Sequence, residues 1–242
     1  MSLTREIEPV LYLLPVWLGE AGGTDLMPPR NIAIAEETAL FFCEKERTAR
    51  RMLRRMSKII DLNAIELHVL DKDSDAATIS SYVKMLATRT GAIISEAGMP
   101  CIADPGARLV AAAHRGGIRV EPLTGPTSLL LALAGSGMNG QRFTFHGYLP
   151  RESALRKQEI KKLEQEAKRT GGAQLFIETP YRNDAMLADL VSTCEGGTLL
   201  CIAIDLEQPG GSLKTRTITA WRDTTTQLGK RPCVFILGIA AR

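Results

Sequence analysis

Short apolar runs alternate with longer amphipathic stretches along most of this chain. Such alternation is typical of proteins in which strands and helices follow one another, so the sequence predicts an α/β fold. In the first half it predicts strands at residues 11–14, 39–43, 65–70, 92–95 and 118–122, and helices at residues 47–60, 76–88 and 108–115. A chain of 242 residues with 45% hydrophobic content can bury one sizeable core or two smaller ones.

The alternation starts again after a turn-rich segment that ends near residue 128. It predicts a very apolar helix at residues 129–134, a charged helix at residues 153–169, and strands at residues 143–146, 174–177 and 199–204. Residues 213–220 and 233–237 are close enough in sequence to pair with each other as antiparallel strands. We therefore predict two α/β domains, residues 1–122 and residues 123–242, with the boundary near residues 121–125.

Composition narrows the functional classes. The net charge of +3 is too small to imply nucleic-acid binding unless the cations are concentrated on one face. The number of cysteines is odd and no CxxC pair occurs, which predicts reduced thiols in a cytoplasmic protein. None of the three histidines has a metal-ligand spacing to another histidine or to a cysteine, so no metal site is expected. The apolar run at residues 11–19 is too short for a membrane span.

The segment SEAGMPCIADPG, residues 95–106, connects a predicted strand to a predicted helix. Its proline and glycine residues predict a rigid loop at the carboxyl end of a strand, where open α/β sheets bind ligands. An ordinary turn is an equally good interpretation, with Asp104 as the N-cap of the next helix and Pro105 as its first residue. The spacing alone leaves both readings open.

Positive charge is concentrated in one predicted helix, where six cations recur at helical spacing on one face: Arg47, Arg50, Arg51, Arg54, Arg55 and Lys58. Such a stripe can lie along a phosphate backbone. A solvated helix face is the alternative. His146 has two interpretations as well, a polar wall of a ligand cleft or a hydrogen-bonded structural histidine.

Four motifs in order resemble one family: SEAGMPCIADPG at residues 95–106, PLTGPTSLLLALAGSG at 122–137, FHGYLPR at 145–151 and FIETPYR at 176–182. The chain resembles the tetrapyrrole methylase superfamily over nearly its whole length, in particular the branch of ribosomal RNA small subunit methyltransferase I, which methylates a cytidine ribose 2′-hydroxyl. The resemblance implies a homodimer and two α/β domains with S-adenosylmethionine in the cleft between them.

The resemblance also implies which residues line the cofactor: Gly98, Met99, Pro100, Asp104, Pro105, Gly106, Gly125, Pro126, Thr127, Ser128, Ala134, Gly135 and Ser136. Glycine and proline turns suit such a ligand because they let backbone approach it closely. The chain departs from the family pattern at residues 15–20, 44–47 and 204–208. These segments would border the substrate.

A ribose hydroxyl is a weak nucleophile, so a general base or a charge-stabilising group is expected beside it. Candidate bases are Glu20, Glu44, Asp104 and Glu178, with Arg47 and Arg182 as phosphate or oxyanion partners. We predict Glu178 and Arg182 as the catalytic residues, because their motif follows a strand. Three functional hypotheses remain: RNA 2′-O-methylation, methylation of a small molecule such as a tetrapyrrole, and a non-catalytic paralogue that binds RNA or the cofactor.

Overall fold

The computed structural model describes residues 8–21, 24–224 and 226–240. The chain divides into two units, the first ending at Pro126 and the second beginning at Thr127. Each unit contains one five-stranded sheet with helices, so the α/β class that the sequence predicted is confirmed. Among the described residues, no helix combines the length and apolar character needed to cross a bilayer.

The first unit is built on a parallel sheet with the strand order β3-β2-β4-β1-β5. Its strands are β1 Val10–Leu14, β2 Leu40–Cys43, β3 Glu66–Val69, β4 Gly91–Ile94 and β5 Arg119–Pro122, and its helices are α1 Pro29–Glu37, α2 Glu46–Met56, α3 Ala76–Leu86 and α4 Ala107–Arg115. The strands β2 and β4 are buried along their whole length, as in sheets covered on both faces. Phe41 and Phe42, adjacent in β2, accordingly pack into two separate apolar clusters.

The second unit has a mixed sheet with the order β6-β7-β10-β8-β9, in which only β6 and β7 are parallel. Its strands are β6 Phe143–Tyr148, β7 Ala173–Glu178, β8 Leu199–Ile204, β9 Ser212–Thr217 and β10 Cys233–Gly238, and its helices are α5 Ser128–Ser136, α6 Ser153–Thr170, α7 Asn183–Thr193 and α8 Ile218–Arg222. Phe176 and Phe235 stack face to face at its core, with ring centroids 5.6 Å apart.

The pairing predicted between residues 213–220 and 233–237 is wrong. Strand β8 lies between β9 and β10 and pairs antiparallel with both of them. Strand β9 also ends earlier than the predicted residue 220. The Thr217 side chain accepts a hydrogen bond from the amide of Ala220 and caps the short helix α8. Strands β9 and β10 are therefore neighbours in sequence but are separated in the sheet by β8, which precedes both in the chain.

Candidate functional site

The loop at residues 95–106 leaves β4 at the carboxyl edge of the first sheet. Its first turn is closed by Ser95, whose Oγ donates to the Gly98 carbonyl over 2.7 Å. Gly98 also exchanges two backbone hydrogen bonds with Val16, of 3.0 and 3.2 Å, just beyond the end of β1. The buried backbone of Gly98 is thus held from two sides.

The rest of this loop has a constrained backbone. Gly98, Cys101, Ala103 and Gly106 have φ values of 72°, 68°, 62° and 133°. Two of them carry side chains in the left-handed region, which costs about 1 kcal/mol or more each. Gly106 must remain glycine, because a Cβ there would lie 2.5 Å from the Cys101 sulfur. Strain of this kind persists where the surroundings enforce it and is common in ligand-binding loops.

The ordinary-turn interpretation of this loop is not supported. Helix α4 begins at Ala107, its N-cap is Gly106, and no side chain makes a capping hydrogen bond there. Asp104 therefore does not cap the helix, and its carboxyl group is available for another role.

Asp104 lies in an acidic environment. Its pKa is raised from 3.8 to about 6, mainly by burial and to a lesser extent by the negative charges of Glu44 and Glu96. The three acids line a small cavity of about 10 Å³, close to the space that one water needs. Lys45 balances part of the charge, since its Nζ lies 2.7 Å from Glu96 Oε2. Glu44 directly follows β2 and Glu96 follows β4, which explains why they meet at one edge of the sheet.

The turn at Gly125 and Pro126 follows β5 at the same edge. A Cβ on Gly125 would collide with the ring of Pro15, so this glycine permits a close approach of two loops. The buried Asn31 side chain fixes the turn by donating to the Thr124 carbonyl over 2.8 Å.

In the second unit, Thr127 is the N-cap of α5 and Ser128 is its first residue. At the other end of the helix, Ser136 is buried and its hydroxyl is used locally, donating to the Leu133 carbonyl and accepting from the Met138 amide. Ala134 and Gly135 are exposed. A Cβ on Gly135 would lie 2.6 Å from Leu213, so the glycine lets α5 pack against β9.

Glu178 and Arg182 form a hydrogen-bonded pair at the end of β7. The Glu178 side chain is 0% exposed and that of Arg182 is 26% exposed. Glu178 Oε1 accepts hydrogen bonds from the Thr179 amide at 2.6 Å and from Arg182 Nε and Nη2 at 2.9 and 2.5 Å. Within the described part of the chain, Glu178 Oε2 is buried without a hydrogen-bond partner. The carboxylate therefore orients a guanidinium whose outer side reaches solvent.

The cationic stripe on α2 partly binds its own chain. Arg50 donates to the Leu62 carbonyl and Arg54 to the Lys58 carbonyl. Arg51 pairs with Glu20 at 2.7 Å, and Arg55 donates to the Gly19 carbonyl over 2.8 Å. The stripe thus supports residues 15–20 as well as presenting positive charge to solvent.

His146 is hydrogen-bonded, since its Nε2 lies 2.8 Å from Oε1 of the buried Gln174. This contact favours the structural interpretation of the histidine. Considering the described residues alone, no group of three or more His, Cys, Asp or Glu side chains is arranged to hold a metal ion.

Sequence reasoning missed the pairing of Lys45 with Glu96 and the contact of Tyr181 with Lys230. The first pair joins two strand ends, and the second joins residues far apart in the chain, with the Lys230 Nζ 5.0 Å from the Tyr181 ring centroid. The one available signal for Tyr181 was its place inside the FIETPYR motif.

The site motifs fit the comparisons with known proteins. A family model described as Tetrapyrrole (Corrin/Porphyrin) Methylases matches residues 21–204. The chain belongs to this family. The match includes the loop at residues 95–106, the turn at Gly125 and the Glu178–Arg182 pair.

Curated relatives in this family share moderate identity with the chain. Ribosomal RNA small subunit methyltransferase I from Micromonospora olivasterospora is 34% identical over 185 residues, which is 75% of this chain and 55% of that protein. The protein of the same name from Xylella fastidiosa is 30% identical over 196 residues, 81% of this chain and 68% of that one. The chain thus spans about half the length of the Micromonospora relative. The relatives' names agree with the predicted methyltransferase class.

Solved structures of other methyltransferases share the fold. The methyltransferase CobJ aligns with a TM-score of 0.62 and 20% identity over 96% of this chain and 94% of that one. Uroporphyrin-III-C-methyltransferase from Thermus thermophilus aligns with a TM-score of 0.53 and 15% identity over 95% of this chain and 94% of that one. At these identities the likeness concerns the fold alone.

Proposed function

We propose that the protein transfers a methyl group from S-adenosylmethionine to a ribose 2′-hydroxyl of small-subunit ribosomal RNA. The observation that carries the proposal is family membership together with 30–34% identity to methyltransferases named for that RNA. The constrained loop at residues 95–106 supports the cofactor part of the proposal, and the cationic stripe on α2 supports the RNA part.

The residues at the carboxyl edge of the first sheet fit the cofactor. S-adenosylmethionine supplies the methyl group on a positively charged sulfonium. Gly98 and Gly106 provide backbone without side chains, as a closely held ligand requires. The acids Glu44 and Glu96 provide a negative potential that favours a cationic ligand.

Arg182 is the proposed contact to the methyl acceptor. Its guanidinium is oriented by Glu178 and is partly open to solvent, so it can stabilise negative charge that develops on an acceptor oxygen. Glu178 is fully buried and acts through Arg182, which makes it a positioning residue in this proposal.

Incubation with radiolabelled S-adenosylmethionine and undermethylated small ribosomal subunits tests the proposal. We expect label in the RNA, and nucleoside analysis is expected to recover it as a 2′-O-methylated nucleoside. Absence of label from the RNA would refute the proposed substrate. The homodimer implied by the family resemblance stays a prediction, and sedimentation equilibrium tests it directly.

Methylation of a small molecule is the second candidate. It is favoured by the departures from the family pattern at residues 15–20 and 204–208. Label in an offered tetrapyrrole and none in RNA would support it. Calorimetric binding of the cofactor without turnover on either substrate would instead support a non-catalytic paralogue.

A further inference from the structure

Tyr181 is the most exposed large hydrophobic side chain of the described residues, with 79% of its surface open to solvent. It lies in the short 3-10 turn Pro180–Arg182 and directly precedes Arg182. Large aromatic side chains are buried in most positions, so an exposed ring beside a candidate site is informative. The ammonium of Lys230 lies 5.0 Å from the centroid of this ring, within the range of a cation–π contact.

The turn that carries the ring is firmly anchored. Asn183, which is completely buried, donates from Nδ2 to the Arg231 carbonyl over 2.7 Å and to the Gly229 carbonyl over 3.2 Å. Asp184 Oδ1 accepts from the Leu228 amide at 2.7 Å. These bonds hold the loop at residues 228–231 against the start of α7. The backbone segments that carry the ring and the ammonium are therefore held together before any ligand binds, which lowers the cost of ordering them.

We propose that Tyr181 is a stacking platform for an unpaired base of the RNA, with Lys230 contacting the adjacent phosphate. This inference rests on the proposed function and names the residues that would hold the substrate strand. Single-stranded RNA is bound by aromatic faces that stack bases beside cations that meet the backbone. Tyr181 and Lys230 provide one of each.

Lys230 supplies the positive charge that an anionic strand would meet beside the ring. The Glu178 carboxylate is paired with Arg182, and the Asp184 carboxylate accepts from backbone amides. Arg231 is paired with an acid as well, since its Nη1 lies 3.7 Å from Asp205 Oδ2. Lys230 is exposed and its contact is with an uncharged ring, so its ammonium can meet a phosphate.

A tryptophan reporter tests the stacking directly. The two natural tryptophans, Trp17 and Trp221, are 1% and 5% exposed, so Tyr181→Trp introduces a solvent-exposed fluorophore at the platform. The probes are a short single-stranded oligoribonucleotide and inorganic polyphosphate, which has the charge without bases. We expect the oligoribonucleotide to quench the new fluorescence and polyphosphate to leave it unchanged. Equal quenching by polyphosphate, or no quenching by the oligoribonucleotide, would each overturn the inference.

Affinity measurements on the full chain give a second readout. Tyr181→Ala is expected to weaken oligoribonucleotide binding about tenfold, whereas Tyr181→Phe retains the ring and is expected to bind like the wild type. Lys230→Ala is expected to weaken binding and reduce its salt dependence, while Lys162→Ala, an exposed lysine on α6, serves as the matched control. Unchanged binding by Tyr181→Ala, with its thermal melt intact, would overturn the inference.

Failure of the stacking inference and failure of the proposed function give different results. If the wild type labels RNA and Tyr181→Ala has the same KM for RNA, the stacking inference fails while the methylation stands. If the wild type labels no RNA but the oligoribonucleotide still quenches the Tyr181→Trp reporter, the platform stands and the proposed reaction fails.

Discussion

The guanidinium of Arg55 lies over the ring of Trp17, 4.1 Å from the ring centroid. Trp17 is 1% exposed, and the same arginine donates to the carbonyl of Gly19. A residue of the cationic stripe thus holds the segment that follows β1 in place. The stripe has a structural role at this end, whatever it contacts outside the protein.

Substitution of Arg55 by alanine should destabilise the first unit. Loss of the cation–π contact and of the hydrogen bond to Gly19 is expected to lower the free energy of unfolding by about 1–2 kcal/mol. The matched control is Arg54→Ala, because Arg54 is exposed and donates to the carbonyl of Lys58, just beyond the end of α2. Urea denaturation compares the two variants, and equal losses would show that the Trp17 contact is unimportant.

Substitution of either residue of the Glu178–Arg182 pair should affect the chemical step. Arg182→Ala is expected to lower kcat about 100-fold, because it removes the donor that we propose for the charge developing on the acceptor. Glu178→Gln keeps an acceptor oxygen but loses the charge that orients Arg182, and a smaller loss of about tenfold follows from weaker positioning. Single-turnover methyl transfer measures both. Wild-type rates in both variants would remove this pair from the mechanism.

Gly106 offers a test of the constrained loop. Gly106→Ala places a Cβ 2.5 Å from the Cys101 sulfur at a φ of 133°, so a loss of about 2–3 kcal/mol in unfolding free energy is expected. Gly117→Ala is the control, because its φ is 70° and nothing lies within 4 Å of the added methyl group. About 1 kcal/mol is expected there from backbone strain alone.

The two alanine substitutions are expected to differ in their effect on the affinity for the cofactor. Calorimetric affinity for S-adenosylmethionine is expected to fall for Gly106→Ala and to stay at the wild-type value for Gly117→Ala. Adding Cys101→Ala to Gly106→Ala should recover part of the lost stability, since it removes the atom that the new Cβ would meet. No recovery would mean that backbone strain dominates.

Asp104 predicts a pH dependence of stability with a definite sign. Its pKa is 3.8 as an ordinary carboxyl group and about 6 in the folded protein. In the window from about pH 4 to about pH 6 the folded state binds more protons, so the free energy of unfolding falls as pH rises. Asp104→Asn lacks this loss and should gain about 1–2 kcal/mol on the wild type between the two ends of the window, after allowance for solvent screening.

Chemical denaturation at several pH values, without cofactor, measures that difference. Glu44→Gln removes one of the like charges that act on Asp104 and should reduce the slope without abolishing it, because burial is the larger cause. A constant difference between Asp104→Asn and the wild type across the window would contradict the raised pKa.

Strands β2 and β4 of the first unit could be predicted because they are buried on both faces and each leaves an apolar run. Helix α1 was not predicted. The helix predicted at residues 47–60 is shorter in the structure and ends at Met56. The order of strands in the second unit was not predictable in the same way, because the position of β8 between β9 and β10 depends on long-range packing.

The candidate site could likewise be predicted only in part from the sequence. Family motifs identified Glu178 and Arg182, and the structure joins them by hydrogen bonds. Asp104 has the local sequence of an N-cap, yet Gly106 occupies that position because the loop turns sharply through its positive φ. The contact of Tyr181 with Lys230 arises from side chains of Asn183 and Asp184 that bind a distant loop, and no periodicity reports such a bond.

The two backbone hydrogen bonds between Val16 and Gly98 have a consequence for how such a chain diverges. Backbone groups are common to all residues except for the amide that proline lacks, so this connection survives most changes of side chain. Residues 18–20, which are not buried, can therefore change in sequence while the loop that follows β4 keeps its register. The proposed cofactor loop can in this way keep its backbone position while the neighbouring segment changes to suit another acceptor.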